Sequence, residues 1–170
     1  MATQECPCGY FSDPKRECIC TPERIQKYIS KLSGPVLDRI DLHVEVPAIR
    51  YEEMAAPRGG DTSETLRKRV TSCREVQRQR YLGSGIFCNA HMLPSQMEEF
   101  VNATEPGRKL LESAIDRLGL SARAYDRVLR VSRTIADMAG TDIIAEEHLA
   151  EAIQYRSLDR KLWVTSRKAA

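Results

Sequence analysis

Apolar residues recur at three- and four-residue spacings through most of the chain, and one short stretch alternates instead. Ile25, Tyr28, Ile29 and Leu32 line one side of a segment that Thr21 caps, Pro22 opens and Glu23 complements at its positive end. A helix is therefore expected over about residues 22–32, stopped by Ser33, Gly34 and Pro35. After the turn VLDRI, Leu42, Val44 and Val46 alternate with His43 and Glu45 up to Pro47, the period-two pattern of a half-buried strand. A lone strand needs partners, so either another molecule supplies the sheet or the chain is part of something larger. Residues 52–62 read as a Pro/Gly-rich connector, and Ser63 as the cap of a long helix over about residues 64–80 with Leu66, Val70, Cys73 and Tyr81 as its buried stripe. A short helix opens at Leu93-Pro94-Ser95 and runs to about Val101, with Met97 and Phe100 inward.

Two longer helices follow. Residues 106–118 place Leu110, Leu111, Ala114, Ile115 and Leu118 on one face, and residues 122–138 do the same with Tyr125, Val128, Leu129, Ile135 and Ala136. Gly119-Leu120-Ser121 joins them. Thr141 or Asp142 starts a last helix with Ile144, Leu149, Ala152 and Ile153 packed inward, and SLDRKLWVTSRKAA reads as a fraying tail on which Trp163 docks. The fold class expected is mainly α.

Composition narrows the function classes. With 26 Lys and Arg against 24 Asp and Glu, a net charge of +2 gives no global attraction for nucleic acid or an anionic membrane, so any such role needs a local patch. No apolar run approaches the roughly 18 residues of a membrane-spanning helix, and MATQECPCGY lacks the basic and apolar regions of a signal peptide. The expectation is a cytoplasmic chain without a membrane partner. No G-x-x-x-x-G-K-S/T phosphate loop occurs.

Candidate chemistry concentrates in the cysteines. Cys6 and Cys8 form one C-x-C pair and Cys18 and Cys20 another, nine residues apart, with Pro7, Gly9, Asp13 and Pro14 available for the turns. Four thiolates can close a tetrahedral zinc site, although the one-residue spacers are tighter than the usual two to four. The alternative is four unmetallated thiols in an irregular loop. Cys73 and Cys88 read as small core residues. On the long helix Arg67, Lys68, Arg69, Arg74, Arg78 and Arg80 outnumber Glu64 and Glu75. This stripe is either a DNA-phosphate contact, with Arg67, Lys68, Arg74 and Arg78 as candidates, or a solvated face. His43, His91 and His148 have no metal-like spacing to a second ligand. AIDRLGLSARAYDRVLR is also similar to a helix-turn-helix, with Arg123, Arg127 and Arg130 facing a groove, but its second helix stays apolar beyond the usual recognition helix.

CPCGYFSDPKRECIC, TPERIQKYISKLSGPVLDRIDLHVEVP and LSARAYDRVLRVSRTIADMAG together resemble the C-terminal half of the magnesium-chelatase-like AAA+ ATPases of the ComM/YifB type, over about residues 3–156. The resemblance implies the end of an AAA+ α/β core with a Cys-rich loop at 1–50, a connector at 51–62, a helical lid at 63–158 and a tail at 159–170. It implies ATP and Mg in the whole protein, a homo-oligomeric (hexameric) ring, and a phosphate loop and acidic Mg-binding strand upstream, so that this portion is inactive alone. Coupling of hydrolysis to DNA remodelling such as branch migration is the role it suggests, with porphyrin metallation by a magnesium chelatase second.

It also implies roles for three residues. Arg39, in the turn SGPVLDRID, takes the place of the arginine finger given to a neighbour's ATP; the plainer reading pairs it with Asp38 or Asp41 to shape the turn. Arg123 takes that of the sensor 2 arginine at the γ-phosphate, against a reading as a solvated side chain. Gln4 falls at sensor 1, where relatives tend to read N-P-C-P-C-G, and its amide sits one methylene further out than an asparagine's.

Overall fold

The Thr21 hydroxyl accepts the Arg24 N–H at 3.4 Å and Pro22 occupies the first turn, which fixes α1 at Pro22–Ile29. Beyond it the Lys31 and Leu32 N–H groups bond three residues back, to Tyr28 and Ile29, so the helix loosens before the expected end at residue 32. A four-residue turn of helix, α2 (Gly34–Leu37), follows. The computed structural model describes residues 2–11, 13–47, 49, 55 and 59–156. These fall into two units, one within Met1–Pro57 and one within Arg58–Ser157. The expected tail at 159–170, with Trp163, and most of the 51–62 connector lie outside the described residues.

In the first unit the apolar side of α1, Ile25, Tyr28 and Ile29, is only half-buried. The strand expected at 42–46 is corrected: among the described residues it has no β-pairing, Leu42, Val44 and Val46 are exposed, and His43 between them is buried. A strand's apolar row is covered by a neighbouring strand or layer, and the described residues contain none.

The second unit is mainly helical: α3 (Ser63–Arg80), a three-residue 3-10 turn (Asn89–His91), α4 (Pro94–Phe100), α5 (Glu105–Leu118), α6 (Ala122–Met138) and α7 (Glu146–Gln154). Caps set the boundaries. Thr62, rather than Ser63, caps α3 by accepting the Thr65 N–H at 3.2 Å. Thr104 caps α5, which ends at Gly119 in the left-handed conformation (φ +62°), and Ser121 caps α6 by accepting the Ala124 N–H at 3.2 Å. Helix α7 packs on α5 and α6, and α3 packs on α6. The core is Met97, Leu111, Val128, Leu129, Ala136, Ile144, Leu149 and Ala152, with a second cluster of Tyr81, Ile86 and Met92 against Phe100. Helices α5 and α7 come close at Gly107, where an added Cβ would lie 2.7 Å from Leu149 Cδ1.

Three expectations are revised. Helix α7 starts at Glu146, not at Thr141 or Asp142, because Ile144 forms a parallel bridge with Ala103 and its N–H donates to the Asn102 carbonyl at 2.8 Å. Leu66 and Val70 stand 47% and 56% exposed, so the buried side of α3 is confined to its C-terminal half, at Cys73 and Gln77. Tyr125 is exposed as well.

The least anticipated feature is polar. The Asp137 carboxylate is fully buried and accepts from Arg80 Nη1 and Asn89 Nδ2 at 2.8 Å each and from Arg133 Nε at 3.0 Å. Arg133, 1% exposed, also donates to the Thr141 and Asp142 carbonyls, which holds that segment out of the helix. Asn89 accepts from the Tyr81 hydroxyl at 2.7 Å, and its N–H donates to Gln77 Oε1. Arg80 is thereby withdrawn from the basic stripe. Asp137→Ala would strand a buried guanidinium, and a loss of about 3–5 kcal/mol is expected in urea denaturation of the chain. Glu75→Ala, which removes an exposed ion pair to Arg78, should leave the midpoint in place. Equal midpoints for the two variants would refute the assignment.

Candidate functional site

The first C-x-C pair sits on a tight turn. Gly9 takes φ +81° and its N–H donates to the Cys6 carbonyl at 3.1 Å. Further on, Asp13 Oδ1 accepts the Lys15 and Arg16 N–H groups at 2.7 and 3.0 Å, and Arg16 Nη1 donates to the Tyr10 hydroxyl at 2.7 Å. These local bonds fold the loop so that the four sulfurs of Cys6, Cys8, Cys18 and Cys20 all lie within 4.8 Å of one another. The separations are 3.3 Å for Cys6–Cys8, 3.6 Å for Cys8–Cys18 and 3.7 Å for Cys6–Cys18, well beyond the roughly 2.05 Å of a disulfide.

The thiols are not equivalent. The Tyr10 backbone N–H, with help from Cys6 and Ile19, lowers the Cys8 thiol to about 6. Cys18 is pushed up to about 12: the Cys20 N–H favours its thiolate, but desolvation and the neighbouring Cys8 and Cys6 sulfurs outweigh it. In reduced, metal-free chain Cys8 is therefore a thiolate above about pH 6 and Cys18 is not. Iodoacetamide at neutral pH should modify Cys8 ahead of Cys18, the rate falling as pH drops through about 6, as read by peptide mass mapping. Earlier labelling of Cys18 would contradict this.

Gln4 is exposed and lies against the Gly9 turn, where an added Cβ would meet its side-chain carboxamide carbon at 3.9 Å. Arg39 follows α2 on a turn closed by its own N–H to the Val36 carbonyl at 3.0 Å and anchored by buried Leu37. It is exposed, and its guanidinium donates to the Pro35 carbonyl at 3.1 Å. Arg123 belongs to the second unit. It is the second residue of α6, just past the Ser121 cap, and is exposed with no ion pair among the described residues.

On α3, Lys68 pairs with Glu64 at 2.8 Å, Arg69 with Asp61 at 3.0 Å and Arg78 with Glu75 at 2.7 Å. With Arg80 half-buried on Asp137, Arg67 and Arg74 remain as the exposed cations of this helix without an ion-pair partner among the described residues. Of the three arginines proposed to face a groove, Arg127 and Arg130 are half-buried, and only Arg123 is fully exposed. Of the histidines, His148 Nδ1 accepts the Ala145 N–H at 3.0 Å at the start of α7, and exposed His91 stands edge-on to Phe87. Cys73 is buried as expected, accepting from Gln77 Nε2 at 3.3 Å. The polar hub was missed by pattern reading, although Arg133 and Asp137, four apart on the apolar side of α6, were its signal.

Residues 60–156 match the family model described as magnesium chelatase, subunit ChlI C-terminal, and residues 1–54 match magnesium chelatase, subunit ChlI. Among curated relatives, Competence protein ComM of Haemophilus influenzae is 38% identical over 157 residues, and the uncharacterized protein YifB of Escherichia coli is 38% identical over 161 residues. An uncharacterized protein of Mycobacterium bovis is 35% identical over 156 residues. In each case the match covers 92% of this chain and 30% of the relative, so the chain spans less than a third of the length of these proteins. No helix among the described residues is long and apolar enough to cross a membrane. With more than half of its length matched by one model and most of the remainder by its companion, the chain belongs to the magnesium chelatase subunit ChlI family.

Proposed function

We propose that this chain carries the finger and lid of an AAA+ ATPase that works as a homo-oligomeric, hexameric ring. In this reading residues 1–50 end the ATPase core, 51–62 connect, 63–158 form the lid and 159–170 a tail, with ATP and Mg held largely by residues outside the chain. Phosphoryl transfer spreads negative charge over the equatorial oxygens of the moving group, and a guanidinium placed there changes the rate by about 10³–10⁵ fold, or roughly 4–7 kcal/mol. Arg39 is the finger, reaching the ATP of a neighbouring subunit. Arg123 is the sensor 2 group at the γ-phosphate, and Gln4 a long-armed occupant of the sensor 1 position.

The observation that carries the reading is the state of Arg39: exposed, presented by a turn fixed at both ends, and bonded to a carbonyl, so that its charge stays available to a phosphate. The half-buried Arg127 and Arg130 weigh against the helix-turn-helix alternative. Coupling to DNA remodelling such as branch migration is favoured by the relative named as a competence protein and by exposed Arg67 and Arg74. Lys68 and Arg78 join them at little cost, since a phosphate can replace their exposed carboxylate partners. The family description favours porphyrin metallation as the second reading.

In a full-length family member carrying this sequence, Arg39→Ala should lower kcat for ATP hydrolysis by about 10³-fold while ATP binding is retained; unchanged hydrolysis removes the finger. Replacing Arg67 and Arg74 together by Ala should reduce the slope of log duplex affinity against log salt by about 2, with basal hydrolysis unchanged. An unaltered slope would turn the substrate question toward the porphyrin. Tight sequence-specific duplex binding by this chain alone would instead support the helix-turn-helix.

A further inference from the structure

We propose that Cys6, Cys8, Cys18 and Cys20 bind one zinc ion in a closed, structural, all-thiolate site. Four sulfurs held about 2.3 Å from a shared tetrahedral centre lie roughly 3.8 Å apart; here the separations among Cys6, Cys8 and Cys18 run from 3.3 to 3.7 Å, and the Cys20 sulfur lies within 4.8 Å of each of them. Three of the four ligand positions are thus drawn in slightly. The shortest of these three separations falls within the C-x-C pair Cys6–Cys8, where a one-residue spacer leaves least freedom. Zinc, with a filled d shell and no directional preference of its own, tolerates that compression.

Charge makes the same demand. Cys6 is 1% exposed, and sulfurs this close repel one another as thiolates unless a cation sits among them. Four protein ligands leave no open coordination position, so the ion has no substrate to activate and its contribution is to folding.

The first unit has reason to need it. Helix α1 contributes no fully buried residue, and the apolar groups buried in this unit among the described residues are Cys6 and Leu37. A core that thin supplies little of the free energy required to order the loop from Cys6 to Cys20, whereas a tetrathiolate zinc supplies it directly. The same loop carries the Gly9 turn against which Gln4 lies. The zinc assignment does not depend on the ATPase reading.

The test uses the whole chain, purified under reducing conditions. Elemental analysis should find one zinc per chain, released on acidification as protons compete for the sulfurs. After removal of zinc, cobalt(II) should give the intense visible bands of a tetrahedral thiolate complex, and one equivalent of zinc should bleach them. Cys6→Ser or Cys18→Ser should lose tight binding, while Cys73→Ser and Cys88→Ser keep it. Because a ligand variant can lose its fold, the cobalt titration of the unmodified chain decides independently. No zinc as purified together with no tetrahedral cobalt spectrum would overturn the site. So would iron as the bound metal, or full zinc binding in Cys6→Ser.

Discussion

The helical unit depends on one buried carboxylate. Asp137 gathers Arg80 from α3, Asn89 from the 3-10 turn and Arg133 from its own helix, and Arg133 in turn ties down the segment leading into α7. An ion pair in so dry a place contributes little net stability when intact, because both charges lose their water. Its consequence is geometric: α3 can dock on α6 in one register, since any other leaves a charge unpaired in the interior. Residues as far apart in sequence as Gln77, Asn89 and Asp137 are held together by hydrogen bonds that apolar packing alone would not specify.

The two units are stabilised by different means. Beyond residue 58, apolar residues from α4, α5, α6 and α7 close a continuous core, and the missing Cβ of Gly107 on α5 leaves room for Leu149 of α7. Before it, α1 is half-covered, the 42–46 segment turns its apolar row outward, and one loop brings four sulfurs together. The exposed row of Leu42, Val44 and Val46 has the pattern of a sheet strand without a sheet, in a chain that matches 30% of the length of its relatives.

How much was legible follows from which signals are local. Thr21, Thr104, Ser121 and Gly119 act at helix ends through bonds to their immediate neighbours, so most boundaries could be read within a residue or two. The cysteine spacing likewise pointed to one cluster before any geometry was known. What failed needed tertiary information. Leu66 and Val70 keep the helical period of the buried stripe yet lie beyond the stretch where α3 meets α6, and periodicity does not say where a partner helix ends. Arg80 and Arg133 look like surface charges in any composition-based reading, and their shared partner Asp137 explains why one is half-buried and the other buried. Thr141 has the chemistry of a helix start, but its carbonyl is taken by Arg133 and the chain bends through Asp142 and Ile143 into the Ile144 bridge.

Function in this account rests on side chains kept out of that internal bonding. Arg39, on a short turn, and Arg123, in the first turn of α6, are exposed in different units; in the proposed reading each meets a phosphate brought by another part of an assembly. The central claim is that Arg39 serves the ATP of a neighbouring subunit, and mixing subunits tests it most directly. Rings formed from Arg39→Ala subunits alone, or from subunits disabled in ATP binding alone, should both be inactive. Mixed rings should regain hydrolysis, because an intact Arg39 then faces ATP bound by the variant next to it. No recovery at any mixing ratio, with mixed rings verified to form, would mean that Arg39 does not act across a subunit boundary.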